Sequence, residues 1–338
     1  MKSLLLPALL LVAALGSALA ADYKAVPDWY SFPDGKKIIG NMHGDIAVAS
    51  NGEVYVSVMD PKAGLQVFGQ DGKWVRNVPN APADFHGFVI HKDADGKEYI
   101  YGPRLGAGNI LKLTLDGKEV LNIPPSAIPD EFKSKSPKTK KGADGKEVPN
   151  PDADKPVVRL TAMDVAPNGD LYVTDGYSSD YVHRFDKTGK YIKSFGGKQP
   201  PYSFKTLHKI AIDTRFNPPR IIGCDRANGR VVHLSLDGDF LGVIISDLRL
   251  PAAVVVQGDL AVIGELKGRV TVIDKAGKIV SQIGDNTTPE EQGTNKVEPD
   301  KWRPGIVTAP HGVALDAHGD IFVSEYSLYG RVHRFDRQ

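Results

Sequence analysis

The sequence has little of three features that often stabilise a protein or determine where it binds: cysteine, a run of basic residues and, after residue 20, a long apolar stretch. Its 338 residues include one cysteine, Cys224, so no disulfide can form within the chain. Lysine plus arginine number 42 and aspartate plus glutamate 41, and there is no basic block, so the sequence gives no electrostatic case for binding nucleic acid or an anionic membrane. No later segment has the ~18 apolar residues of a membrane span. Folding therefore relies on an apolar core and on the closure of its sheets.

The first 20 residues, MKSLLLPALLLVAALGSALA, differ from the rest. Lys2, the apolar run and the small-residue sequence at 18–20 are the three parts of a secretory signal. We therefore predict cleavage after Ala20 and a secreted or periplasmic mature chain, residues 21–338. An uncleaved N-terminal anchor is the alternative, and it does not explain the cleavage sequence.

Helical periodicity is absent from the mature chain, and short β-prone runs between glycine- or asparagine-containing turns take its place. Residues 160–195 show one complete unit: an inner strand, a turn, a second strand, a polar loop, a third strand, a turn and a fourth strand. Units begin near residues 42, 85, 162, 207, 251 and 310. Six units of four antiparallel strands predict an all-β fold, a six-bladed β-propeller.

Two departures from the repeat concern the chain's first strand and one insertion. The last unit stops after its third strand, and residues 23–35 precede the first unit, so we predict that an N-terminal strand closes the last blade and covers its edge. Residues 124–158 are rich in proline, lysine and aspartate. They predict an inserted polar loop, either a lid over one face or a solvated excursion, rather than a second domain.

A histidine recurs at one place in the inner-strand phrase. Aligning the six units puts these residues there, in order: His43, His86, Met163, His208, Ala252 and His311.

Units two, four and six lie on alternate blades, about 120° apart around a propeller axis. His86, His208 and His311 can therefore converge on one axial point, a three-nitrogen arrangement that leaves coordination positions open to water or substrate. Such a set suits zinc, and also copper, iron or nickel. His43 lies off this alternate-blade set, and we assign it a hydrogen-bonding role. The alternative for all four is a copied residue that bonds the backbone.

Loops after the second strands open on one face of a propeller and carry two further candidates. Tyr177, in blade three, lies between the blades of His86 and His208. A tyrosine beside a dication can act as a base, because the charge lowers its pKa; the alternative is a surface tyrosine. Arg226, in blade four, can hold a carboxylate through two parallel hydrogen bonds.

Five segments carry a resemblance to a known family: FHGFVI (85–90), TAMDVAPNGDLYVTDGYSS (161–179), LHKIAI (207–212), CDRANGRV (224–231) and PHGVAL (310–315). The blades resemble NHL repeats. The mature chain resembles the catalytic core of peptidyl-α-hydroxyglycine α-amidating lyases, also called peptidylamidoglycolate lyases.

The resemblance implies a site and a reaction. It implies a zinc ion held by His86, His208 and His311, with Tyr177 as base or charge partner and Arg226 as the residue that orients the carboxylate. It further implies a secreted zinc-dependent carbon–nitrogen lyase that splits a C-terminal α-hydroxyglycine into a peptide amide and glyoxylate.

Two positions depart from the family. Its first-blade arginine has no counterpart in YVSVMDPKAG (55–64), and Arg104 is the substitute we predict. Its structural calcium uses an aspartate where this chain has Gly312, so the sequence does not predict calcium unless Asp45 or Asp164 compensates.

Two other functions remain open. One is a non-catalytic NHL propeller that binds a protein, peptide or glycan partner. The other is a calcium-dependent lactonase, which requires several carboxylates and an asparagine on the axis, where this sequence offers histidines. For the lyase, the partner is a small-molecule or peptide substrate.

Overall fold

The computed structural model describes residues 21–142 and 145–338, and the predicted signal, residues 1–20, lies outside this part of the chain. The described residues contain six four-stranded antiparallel sheets and two short ribbons. The prediction of an all-β six-bladed propeller is confirmed. Over the described ranges, no helix is long and apolar enough to cross a membrane.

The strands, in chain order, begin with β1 (Tyr23–Val26). Blade one is β2 (Ile46–Val48), β3 (Val54–Ser57), β4 (Leu65–Phe68) and β5 (Trp74–Val78). Blade two is β6 (Val89–Lys92), β7 (Glu98–Pro103), β8 (Ile110–Thr114) and β9 (Glu119–Ile123). The insertion has β10 (Ser134–Lys135), β11 (Thr139–Lys141), β12 (Glu147–Pro149) and β13 (Pro156–Val157). Blade three is β14 (Ala162–Val165), β15 (Leu171–Thr174), β16 (Tyr181–Phe185) and β17 (Tyr191–Gly196).

Blade four is β18 (Leu207–Asp213), β19 (Arg220–Asp225), β20 (Arg230–Ser235) and β21 (Phe240–Ile245). Blade five is β22 (Pro251–Gln257), β23 (Leu260–Glu265), β24 (Arg269–Ile273) and β25 (Ile279–Ile283). Blade six has β26 (Pro310–Leu315), β27 (Ile321–Glu325) and β28 (Val332–Arg337). The 3-10 helices of the described chain are Pro125–Ala127, Asp130–Phe132, Arg226–Asn228, Pro289–Glu291 and Pro299–Lys301.

The N-terminal strand closes the last blade, as predicted. β1 pairs antiparallel with β28, from Tyr23 opposite Arg337 to Val26 opposite Arg334, and blade six has the strand order β1-β28-β27-β26. The segment after β1 adds core packing as well. The ring of Trp29 lies 5.0 Å from that of Phe322 in blade six and 6.1 Å from that of Phe68 in blade one. These contacts join the first and last blades without a disulfide.

Burial explains why the second and fourth strands of a blade differ in sequence. The second strands, such as Val54–Ser57 and Leu171–Thr174, are buried throughout because a neighbouring blade covers each face. The fourth strands, such as Trp74–Val78, have exposed positions between partly buried ones. Buried apolar clusters consequently lie between adjacent blades, and the inner strands surround the axis.

The insertion at residues 124–158 contains two ribbons, β10 with β13 and β11 with β12. It contacts the loop that follows β15 and the first residue of β16. The Phe132 ring lies 5.2 Å from that of Tyr181, and Ser178 Oγ donates to the Val157 carbonyl at 3.2 Å. The β11–β12 ribbon is mostly exposed, since its polar side chains have little apolar area to bury. The insertion therefore packs beside the loop that carries Tyr177.

Candidate metal centre

Local strand irregularities place histidines at the axis. In blade four, Leu207 pairs with Asp225 and Lys209 with Cys224, which leaves His208 as an extra residue in the ladder. In blade six, His311 is left out in the same way, between Pro310 and Gly312. An extra residue of this kind interrupts the ladder and re-aims its side chain.

Blade two has one extra residue within the segment 86–88, which begins with His86. Phe85 bridges Arg104 and Val89 pairs with Tyr101, so four steps on one strand oppose three on the other (89 − 85 = 4; 104 − 101 = 3). The structure thus gives the three predicted ligands a common backbone context.

The three predicted ligands lie together and are almost fully buried. The ring centroids are 4.9 Å apart for His86 and His208, 4.7 Å for His86 and His311, and 4.9 Å for His208 and His311. Their exposed fractions are 2%, 2% and 3%, respectively.

Each of the three rings is anchored by its Nδ1 atom to a backbone carbonyl of the next blade around the ring. The partners are the Thr161 carbonyl for His86 at 2.8 Å, Ala252 for His208 at 2.6 Å and Gly44 for His311 at 3.1 Å.

A carbonyl only accepts hydrogen bonds, so each Nδ1 carries the hydrogen and each Nε2 keeps its lone pair. Metal-binding histidines are commonly fixed in this way. His311 Nε2 is moreover buried and has no hydrogen-bond partner in the described chain. These three residues therefore fit a metal ion.

Tyr177 and Arg226 meet the histidines at one point. Tyr177 Oη lies 3.2 Å from His86 Nε2 and 3.0 Å from His208 Nε2. Arg226 Nη1 donates to the same oxygen at 3.1 Å, and its guanidinium lies 5.1 Å from the tyrosine ring centre. Burial raises the pKa of Tyr177, while the adjacent Arg226 charge opposes that rise. A second positive charge at the nitrogens would lower this pKa further.

Arg104, predicted to replace the family's first-blade arginine, is engaged elsewhere. Its Nε donates to Asp84 Oδ1 at 2.8 Å, in a partly exposed ion pair of blade two. The same carboxylate accepts from the backbone N–H groups of Gly106 and Ala107. This bonding gives Arg104 a role in holding its own loop.

The alignment of blade three requires a correction. Met163, placed at the histidine position by the repeat, packs in the apolar core with Tyr101 and Val173. Thr161, two residues earlier, supplies the carbonyl that binds His86. An apolar residue in a strand is compatible with more than one register. The sequence pattern therefore could not test the alignment that put Met163 at the histidine position.

Buried carboxylates, which the sequence analysis did not single out, hold the loops of the site. Each stands at or just after the end of a second strand and accepts a backbone N–H from the segment entering the same blade. The pairs are Asp175 with Arg159, Asp225 with Lys205, Glu265 with Arg249, and Glu325 with Thr308. Burial raises the pKa of Asp175 to about 6. A carboxylate repeated at this position was the signal that could have revealed the role.

His43 joins the cluster, although the alternate-blade argument left it out. Its ring lies 4.8 Å from that of His86, 4.9 Å from that of His311 and 4.6 Å from that of Tyr326. Ligand nitrogens of His43, His86 and His311 all lie within 4.8 Å of one another. This set shares two residues with the predicted set, whose three ring centroids lie 4.7–4.9 Å apart. The anchored Nδ1 atoms favour the set with His208, because His43 makes no such bond to a carbonyl within the described ranges.

The axis near the histidines holds a buried ion pair, and calcium does not fit there. Lys209 Nζ binds Asp45 Oδ2, and the two side chains are 6% and 1% exposed. Asp164 accepts from the backbone of Val165 and Ile212. A Cβ on Gly312 would already lie 2.4 Å from Asp45 Oδ1, so the position has no room for a calcium-binding aspartate.

An apolar cavity of about 220 Å³ runs between the inner strands and has Asp164 and Lys209 among its lining residues. The candidate centre is the histidine cluster rather than this cavity, because the convergent polar atoms belong to the histidines, Tyr177 and Arg226.

No protein-family profile matches the chain. Solved structures do resemble it over nearly its whole length. A streptogramin B lyase is 14% identical, covers 96% of this chain and 100% of its own, and has a TM-score of 0.56. Virginiamycin B lyase from Staphylococcus aureus is 14% identical, covers 94% and 99%, and has a TM-score of 0.54. A gluconolactonase from Xanthomonas campestris is 12% identical, covers 97% and 99%, and has a TM-score of 0.60.

The chain is a six-bladed β-propeller. Its structural neighbours include lyases and a lactonase, so the same architecture supports enzymes. Identities this low establish the fold alone. The amidating-lyase reaction therefore rests on the sequence motifs and on the geometry of this site.

The neutral histidines predict that the metal-free protein is acid-labile. Burial lowers the pKa of His86 from 6.5 to about 3, and that of the buried His183 likewise to about 3. At pH values between about 3 and 6.5 these histidines bind more protons in the unfolded chain than in the folded one. Their contribution to the free energy of unfolding is therefore fully present above pH 6.5 and is lost as the pH falls below that value. At pH 5 the loss is about 2 kcal/mol for each histidine.

Calorimetry of the metal-free protein at pH 7 and pH 5 tests this expectation, with the exposed His318→Ala variant as control. Equal free energies of unfolding at the two pH values would contradict it.

Proposed function

We propose that this protein is a zinc-dependent carbon–nitrogen lyase that splits a C-terminal α-hydroxyglycine into an amide and glyoxylate. The observation that carries the proposal is the anchoring of His86, His208 and His311. Each keeps an Nε2 lone pair in a buried cluster that also receives Tyr177 and Arg226. Folding alone does not require three imidazoles with free acceptor atoms around one axis.

The three histidines would hold the metal through Nε2. A bound zinc ion supplies a positive charge that favours ionisation of a nearby hydroxyl or phenol. Arg226 has guanidinium N–H groups beyond the one bonded to Tyr177, and these can bind the substrate carboxylate. Tyr177 Oη, held by Arg226, stands where it can exchange a proton with the substrate hydroxyl.

The reaction balances with these groups alone. The substrate hydroxyl gives its proton to the phenolate form of Tyr177, and its oxygen becomes the aldehyde oxygen of glyoxylate. The carbon–nitrogen bond breaks, and its electron pair goes to the amide nitrogen. Tyr177 returns the proton to that nitrogen, which leaves the phenolate ready for the next turnover.

Elemental analysis tests the metal site first. We expect about one zinc per chain in the purified protein and none in the double variant His86→Ala with His208→Ala, because even with His43 at most two nitrogens remain and two nitrogens hold zinc poorly. The His318→Ala variant, which removes an exposed histidine, should keep its zinc. Absence of metal from the folded wild-type protein would overturn the proposal. It would leave a propeller that binds a protein, peptide or glycan partner without catalysis.

A further inference from the structure

We infer that His43 is a fourth, exchangeable nitrogen donor at the axial site, so that the resting protein holds its cation with four imidazoles. The inference rests on the proposed metal site and extends it. Neither the alternate-blade pattern nor the family resemblance gives His43 a function. Removal of His43 from the cation would turn a closed site into an open one.

The first support is the position of the His43 ring. It contacts the rings of His86 and His311, with centroids 4.8 and 4.9 Å away. Its Nε2 lies 3.4 Å from Tyr177 Oη, the same oxygen that contacts Nε2 of His86 and His208. Three Nε2 atoms thus approach one oxygen, and His311 Nε2 is buried without a hydrogen-bond partner among the described residues.

The second support is an asymmetry among the four histidines. His86, His208 and His311 are nearly fully buried and each is fixed by a backbone carbonyl. His43 is only partly buried and lacks that bond in the described part of the chain. Rotating His43 away therefore breaks no buried hydrogen bond to the backbone, whereas moving any of the other three does.

The surroundings of His43 determine what replaces it. Its ring lies against Tyr326 at 4.6 Å, and it is nearly parallel to Tyr177 at 6.2 Å. Arg226 binds Tyr177 on the same side of the cluster. A substrate whose carboxylate binds Arg226 can bring its hydroxyl oxygen to the position that His43 vacates. Four protein ligands are typical of closed structural sites, and three of sites open for catalysis.

X-ray absorption of the zinc-loaded protein counts the imidazoles directly. We expect four in the wild type, three in His43→Ala and four in His318→Ala. Zinc affinity, measured by competition with a chelator, should fall at least about tenfold in His43→Ala, since even outer partners of metal ligands contribute 10–100-fold. Adding glycolate, a minimal hydroxy acid, to the wild type should lower its count to three.

The outcomes separate this inference from the proposed function. Three imidazoles in the wild type, with unchanged affinity in His43→Ala and loss of zinc in His208→Ala, would overturn the role of His43 and leave the lyase proposal standing. No zinc in the wild type would overturn both. Thermal melting checks that His43→Ala is folded, and His43→Gln provides a second variant that keeps a polar side chain.

Discussion

Replacing Tyr177 with phenylalanine is expected to lower the rate of glyoxylate release by about 10²–10⁴-fold, the usual contribution of a general acid–base group. The substitution removes one oxygen atom. That oxygen lies within 3.2 Å of two histidine Nε2 atoms and accepts a hydrogen bond from Arg226. The ring and its contact with the guanidinium remain, so the loss reports on proton transfer rather than on packing.

The assay measures glyoxylate from N-benzoyl-α-hydroxyglycine, and zinc content is measured on the same samples. Zinc should stay at about one per chain in Tyr177→Phe because the three anchored histidines are intact. Tyr202→Phe is the matched control, since its hydroxyl donates to the Gly238 carbonyl at 2.8 Å, far from the histidines in the fold. A Tyr177→Phe variant that works at the wild-type rate would remove Tyr177 from the mechanism.

The second large effect is expected at the axial ion pair. Lys209→Met leaves the Asp45 carboxylate buried without its cation, which should lower the free energy of unfolding by about 3–5 kcal/mol. Burial raises the pKa of Asp45, and the Lys209 ammonium opposes that rise. In the variant the folded carboxyl has a pKa above its unfolded value of 3.8, so stability is lost as the pH rises. The deficit relative to wild type should therefore be larger at pH 7 than at pH 5.

Denaturant unfolding at both pH values measures this deficit. The double variant Asp45→Asn with Lys209→Met removes both charges and keeps an acceptor for the Ile46 N–H group, which Asp45 Oδ1 binds at 2.9 Å. It should recover most of the lost stability. A Lys209→Met protein within about 1 kcal/mol of wild type would show that the pair contributes no more than an exposed one.

The sequence predicted what repeats within a blade. Turn residues and short β-prone runs were sufficient to predict six blades. The missing fourth strand of the last unit was sufficient to predict that β1 completes blade six. The recurring phrase also placed His86, His208 and His311 on alternate blades. The structure brings the centroids of these rings within 5 Å of one another, and each ring lies in a segment where its strand has one extra residue in the ladder.

Contacts across the axis were not predictable in this way. Asp45 and Lys209 are 164 positions apart and belong to blades one and four, so no local pattern joins them. Blade three has no histidine in its inner strand, so the recurring histidine could not fix the register there. His43 was set aside by symmetry, although its phrase in blade one closely matches that of His311 in blade six. Proximity to the axis, rather than six-fold position alone, decides which side chains meet.

The pairing of β1 with β28 also affects the order in which the ring can be built. β1 is the first described strand to be synthesised, yet its partner residues, Arg334 to Arg337, follow only after the strands of the first five blades. Until blade six has been made, Trp29 lacks its contact with Phe322, and the apolar faces of blades one and six cannot pack against each other. Pairing β1 with β28 then closes a loop of some three hundred residues in a single step. Contacts between residues so far apart in the sequence form slowly. An incomplete chain therefore exposes two blade faces at the same time, and both become buried in one final step.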